Sequence, residues 1–112
     1  MKSYRISFFL IFSLFLLWCL NITAFADEAQ DAFTLGNDLF QQERYQEALN
    51  AYQKAAQLKP EGSKVYISLG QTYLQLGQYE NAVKSLREAI RLEPGNDMAH
   101  AHLAVVYLLL QD

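Results

Sequence analysis

The side chains that could do covalent or metal chemistry are few and scattered. Cys19 is the only cysteine, and it sits inside the apolar run ISFFLIFSLFLLWCL at residues 6–20. Beyond that run there is no thiol for a disulfide, a metal site or a nucleophile. His100 and His102 are the only histidines. Two residues apart on a helix, their rings point in different directions, and no cysteine or close carboxylate joins them, so they are expected to be structural or solvated. Asp27, Glu28 and Asp31 form an acidic group at a polar segment start and are expected to be solvated. No nucleophile–base pairing and no phosphate-binding glycine loop occurs. These residues predict no enzyme, no cofactor and no metal site. What recurs instead is an arrangement of amides, aromatics and leucines, whose chemistry is non-covalent binding.

Charge narrows the partners. All twelve acidic residues lie at or after Asp27, against seven of the nine basic ones, so residues 27–112 carry a formal −5. A weakly acidic segment lacks the electrostatic footprint for nucleic acid. It is also a poor fit to an anionic membrane surface, and the charge serves solubility.

The first 26 residues are of another kind. Lys2 and Arg5 precede the apolar run, Asn21-Ile22-Thr23 interrupts it, and Ala24-Phe25-Ala26 closes it with small residues at both positions of a cleavage site. Basic start, apolar centre and small-residue exit predict a secretory signal, cut after Ala26. The competing reading is an uncleaved anchor, since residues 6–26 carry no charge and about 20 apolar residues span a bilayer. In either case Lys2 and Arg5 stay inside and the remainder is exported to a periplasmic or secreted setting. Trp18 before Cys19 does not fit a lipidation signal, which requires a small residue there.

The elements that must position the remaining side chains follow from a 34-residue repeat. Leu35, Gly36, Tyr45, Ala48, Ala55 and Pro60 recur as Leu69, Gly70, Tyr79, Ala82, Ala89 and Pro94, and Leu69 and Tyr73 recur as Leu103 and Tyr107. A fixed period of this length means stacked supersecondary units, and it divides residues 27–112 into copies at 29–62, 63–96 and a partial 97–112. Within each copy the apolar spacing is helical. Helices are predicted over residues 29–42, 45–58, 63–76, 79–92 and 98–110, giving an all-α fold of about five helices after the leader. Residues 27–30 are expected to fray. Ala32, Leu35, Gly36 and Leu39 form the packing stripe of the first helix, and Tyr66, Leu69, Gly70, Tyr73 and Leu76 that of the third. Ser63 is the expected N-cap of the third helix. Gly77 closes that helix in the left-handed conformation, where the first copy has Glu43 at a cost of up to ~1 kcal/mol. The last helix ends in Val105-Val106-Tyr107-Leu108-Leu109-Leu110, apolar on every side, and the helix expected to cover it is missing.

Leu-Gly, an aromatic, a tyrosine, alanines and a closing proline at these positions resemble the tetratricopeptide repeat, a helix-turn-helix unit. The second copy matches most fully, with Tyr66, Leu69-Gly70, Tyr73, Tyr79, Ala82, Leu86, Ala89 and Pro94. The first departs at Ala32 and Leu39, and the third has Ala104 in place of glycine. The resemblance implies an antiparallel α-solenoid in which Gly36 and Gly70 let helices cross closely. It also implies a concave groove lined by the first helix of each copy. By position the groove residues are Phe33, Asn37, Phe40 and Gln41, then Ile67, Gln71, Leu74 and Gln75, then Ala101, Val105, Leu108 and Leu109. They share a face because they recur at i, i+4, i+7 and i+8. Amides there can pair with the backbone of an extended ligand and apolar positions with its side chains. Family members that clamp a carboxylate tail use lysine, arginine and asparagine. Only Asn37 matches; Phe33 stands at the lysine position and His102 where a basic residue is needed.

The expected function is an exported, non-catalytic module that binds a peptide or protein through this groove or through its apolar C-terminal helix. A homodimer through that helix, a membrane-anchored adaptor, or a truncated member of a longer array are the alternatives. Nucleic acid is not an expected partner, and the membrane enters only through the leader.

Overall fold

The computed structural model describes residues 2–111, with the side chains of residues 7–111. The side chains of Lys2 and Arg5, on which the leader's orientation turns, lie outside the described residues. Five helices follow one another: α1 (Lys2–Gln41), α2 (Tyr45–Leu58), α3 (Ser63–Gln75), α4 (Tyr79–Leu92) and α5 (Asp97–Leu110). Helices α1 and α2 pair, as do α3 and α4, while α2 packs on α3 and α4 on α5. The array is elongated, 75 × 29 × 18 Å, because α1 runs on past the stack.

That continuity departs from the expected fraying at residues 27–30, and the polar interruption of the apolar run at residues 21–23 does not break the helix. Thr23 is absorbed into the helix by donating from its hydroxyl to the Leu20 carbonyl at 2.8 Å, a local bond that helices tolerate. Glu28 is tied to Lys54 of α2 at 3.2 Å, and Ala29 is buried. The first helix of the stack and the leader are therefore one 40-residue element.

Repetition explains the core. Ala48 and Ala82 are fully buried at the two helix crossings, as are Ala55 and Ala89 two turns along. What approaches the packing glycines is a large side chain. A Cβ on Gly36 would lie 2.6 Å from ring carbons of Tyr52, and one on Gly70 would lie 2.6 Å from Cγ of Leu86. Tyr52 and Leu86 occupy the same place in successive repeats, so each glycine is a socket for the large residue of its partner helix. One predicted stripe residue fails: Leu35 is 54% exposed whereas its equivalent Leu69 is 5%. Leu69 is covered by the cluster that α2 builds with Ala48, Leu49 and Tyr52, and among the described residues no helix does the same for Leu35.

The turns follow the predicted chemistry with one exception. Gly77 has φ 75° and Glu43 has φ 60°, the same left-handed closure. Replacing Glu43 by glycine removes the Cβ conflict, and the expected result is a gain of about 1 kcal/mol, read as a rise in the urea midpoint at unchanged slope. The exception is Ser63, which is not an N-cap. The cap position is Gly62, with no side-chain bond, and Ser63 instead donates to Glu93 Oε2 at 2.7 Å. Asn96 donates to the same oxygen at 3.2 Å, and the two donors, Ser63 first, hold the Glu93 carboxyl below its usual range. Asn96 is itself the N-cap of α5, its Oδ1 accepting from the Ala99 amide at 3.1 Å. One latch thus joins the start of α3 to the α4–α5 turn.

Candidate functional site

Helices α1, α3 and α5 contribute the residues assigned to the groove, and the structure divides that set. Phe33, Ile67 and Gln71 come together. With Lys64, Ser68, Asn96 and Met98 they line a trough of about 300 Å³. A second trough of about 440 Å³ adjoins it through Phe33 and Lys64, and reaches Ala29, Gln30 and the Lys59–Gly62 turn. Phe33 stands between the two, its ring 5.7 Å from that of Tyr52. Ile67 forms the floor and is itself 5% exposed, packed with Ala89 and Ala99. It gives shape to the trough but little free surface.

Two polar side chains of the set, Asn37 and Gln71, already have partners. The Tyr52 hydroxyl donates to Asn37 Oδ1 at 2.6 Å. Burial pushes the Tyr52 phenol up, and the Ser68 hydroxyl acts in the opposite sense. The Gln71 amide donates to His102 Nε2 at 2.7 Å, joining α3 to α5. His100 lies within hydrogen-bond reach of the Pro94 carbonyl, at 2.9 Å. The two histidines therefore serve different contacts, and among the described residues no group of three or more His, Cys, Asp or Glu side chains converges.

The remaining predicted positions lie outside the troughs. Phe40 packs edge-on against Tyr45, ring centroids 5.1 Å apart, and Leu74 packs against the Ala82, Leu86 and Val106 cluster. Gln41, Gln75, Ala101, Val105, Leu108 and Leu109 are exposed and line neither trough. In the smaller trough, three residues on the helices themselves fall outside the predicted set: Lys64, Ser68 and Met98. Lys64, Ile67, Ser68 and Gln71 recur at i, i+3, i+4 and i+7, one helical face. Gln30, Lys64 and Met98 stand 34 residues apart. These three lie one turn before the predicted Phe33, Ile67 and Ala101, so the troughs extend toward the starts of α3 and α5.

Beside the troughs, α5 shows a second surface. Val106 is fully buried, but Val105, Tyr107, Leu108, Leu109 and Leu110 are 39–65% exposed.

With the geometry in place, comparison with known proteins is informative. A family model described as tetratricopeptide repeat matches residues 33–97 and again 67–112, two windows that start one repeat apart. No curated protein matches the chain. Solved structures do. The second repeat domain of Spaghetti (RPAP3), bound to the HSP90 peptide SRMEEVD, is 22% identical, covers 77% of this chain and 80% of its own, and has a TM-score of 0.74. The OM64 repeat domain from Arabidopsis is 17% identical over 77% of this chain and 71% of its own, with a TM-score of 0.76. The translocator chaperone SycD of Yersinia enterocolitica, in an alternative dimer, is 22% identical over 76% of this chain and 64% of its own, at 0.73. At these identities the structures speak for the fold. Taken with the family match over residues 33–112, more than half of the sequence, and with the repeated glycine sockets, they lead to one assignment: the chain belongs to the tetratricopeptide repeat family.

Proposed function

We propose that this chain is an exported, non-catalytic module that binds a peptide or a segment of another protein along the face formed by α1 and α3. One observation carries the reading: the trough whose apolar residues Phe33, Ile67 and Met98 sit beside Lys64, Ser68, Gln71 and Asn96. An extended ligand presents alternating side chains and free backbone groups, and such a lining offers contacts for both. The HSP90 peptide carried by the Spaghetti domain supports peptide binding on this architecture. A clamp for an acidic tail is not the form proposed here, because Phe33 occupies the lysine position and Asn37 already accepts from Tyr52. The −5 balance after Ala26 and the leader support export and argue against nucleic acid as partner.

The test is a peptide-library selection on the immobilised protein, repeated on a variant carrying Asn37→Ala and Gln71→Ala. Selected peptides are expected to lose about tenfold in affinity, about 1.4 kcal/mol. Unchanged affinity with unchanged helicity would show that the ligand lies elsewhere.

A second reading rests on the exposed apolar end of α5, from Val105 to Leu110. An apolar patch of this kind marks an association surface, and two copies meeting there would form a homodimer. Sedimentation would show a monomer–dimer equilibrium that Leu109→Glu shifts to monomer, and a stable wild-type monomer at high concentration removes this reading. A third reading keeps residues 1–26 as an anchor with the repeats outside the membrane, since residues 6–26 carry no charge and are long enough to span a bilayer.

A further inference from the structure

The anchored reading leads to a crevice beyond the trough lined by Ile67 and Gln71, one that shares Ala26, Lys59 and Glu61 with the larger of the two troughs. From Ser7 to Phe25, α1 carries no charge, and the apolar window within it is unburied by the rest of the protein. At a rise of about 1.5 Å per residue this stretch is about 28 Å long, close to the roughly 30 Å hydrocarbon core of a bilayer. Its last turn therefore lies where hydrocarbon gives way to headgroups. At that level, Ile22, Phe25 and Ala26 line a crevice of about 280 Å³ together with Leu58, Lys59 and Glu61 from the end of α2 and the following turn.

The charges at this level are mixed. Glu28 is paired with Lys54, and Asp27 and Asp31 are exposed on α1. Lys59 and Glu61 are exposed, and neither is in an ion pair among the described residues. A polybasic surface would select anionic lipid. The lining of the crevice itself holds one cation, Lys59, and one anion, Glu61, and beside its apolar wall this pair suits a headgroup that carries both charges.

We propose that this crevice is a binding site for a zwitterionic aminophospholipid, resting on retention of α1 as an anchor. The Lys59 ammonium donates to the lipid phosphate, and the lipid's primary ammonium donates to the Glu61 carboxylate. The first carbons of the acyl chains lie on Ile22, Phe25 and Leu58. Charge-assisted hydrogen bonds of this type are short and directional. The bound headgroup ties the α2–α3 turn to the membrane surface and so fixes the attitude of the whole stack. Phosphatidylcholine keeps the phosphate but has no N–H to donate, and phosphatidylglycerol has no ammonium, so both bind less well.

The full chain, produced in an exporting cell and transferred to nanodiscs of mixed phosphatidylethanolamine, phosphatidylcholine and phosphatidylglycerol, tests this by intact mass and by the lipid retained. The expected result is a mass that includes residues 1–26 and an enrichment of phosphatidylethanolamine of about fivefold over the other two. Lys59→Gln and Glu61→Gln should each abolish the enrichment, while Lys84→Gln, on α4, leaves it intact. Both tested residues are exposed, and unchanged circular dichroism verifies the fold. A mass beginning at Asp27 overturns the anchored reading and the site with it. A retained leader with equal retention of the three lipids, or enrichment indifferent to Lys59 and Glu61, overturns the site alone.

Discussion

Gly70→Ala is expected to destabilise the repeat domain by about 1–3 kcal/mol, although alanine is the better helix former. The added Cβ would sit 2.6 Å from Cγ and 2.8 Å from Cδ2 of Leu86. Leu86 is fully buried. Its Cγ is near the backbone, so it cannot be relieved by swinging a flexible end, and α4 must move away from α3. Leu86→Ala alone creates a cavity and is expected to cost about 2–5 kcal/mol. The informative variant is the double one. Once Leu86 is truncated, the socket is empty and the methyl group introduced at position 70 enters free space. In that background Gly70→Ala should be neutral or stabilising by up to about 1 kcal/mol, through helix propensity alone. The sign of a single substitution thus reverses with its partner, a coupling that contacting residues show and distant ones do not. Urea unfolding of residues 27–112 for the four proteins measures it. Equal costs of Gly70→Ala in both backgrounds would mean that Leu86 does not fill the glycine socket.

Features fixed by local physics are legible in the sequence. The 34-residue period sets the helices, the prolines set the stops, and Glu43 holds the place of Gly77 as its register requires. Features that depend on what lies across the fold are not legible. Leu35 and Leu69 are the same residue in the same register, yet only Leu69 has a helix on its outer side. Ser63 has the chemistry of a cap, but a carboxylate 30 positions away takes its hydroxyl. Gln71 and Asn37 have the chemistry of binding amides, but nothing in their spacing reveals that His102 and Tyr52 already engage them. Lys64 and Met98, which line the trough one turn before Ile67 and Ala101, share no residue type with Gln30. Their equivalence appears in the period, not in composition. The basic start, apolar run and small-residue exit of residues 1–26 are local and legible, while the burial of Ala29 and the Glu28–Lys54 pair that join the helix to the stack are again long-range.

Tyr52 is where fold and site meet, and its two substitutions separate them. Tyr52 is 2% exposed. Its ring fills the Gly36 socket and lies beside Phe33, and its hydroxyl donates to Asn37. Tyr52→Ala removes all of this and is expected to cost about 3–5 kcal/mol, the range for a buried aromatic. That is a large part of what so small a domain has, so the protein should be largely unfolded at about 37 °C by circular dichroism, at which the trough no longer exists. Tyr52→Phe keeps the ring and the socket. It should cost about 1 kcal/mol for the lost hydrogen bond, and it frees the Asn37 carbonyl for a ligand donor. The pH dependence gives an independent sign. Because burial raises the folded phenol above its unfolded value, the neutral ring stabilises fully below the ordinary tyrosine range. That contribution is lost as pH rises through the folded value. Wild-type stability should therefore fall in the alkaline limb more steeply than that of Tyr52→Phe. If both variants lose peptide binding in proportion to their lost stability, Tyr52 acts through the fold alone. If Tyr52→Phe binds selected peptides as well as wild type or better while unfolding earlier, the Asn37 amide belongs to the binding surface, and the phenol competes with the ligand for it.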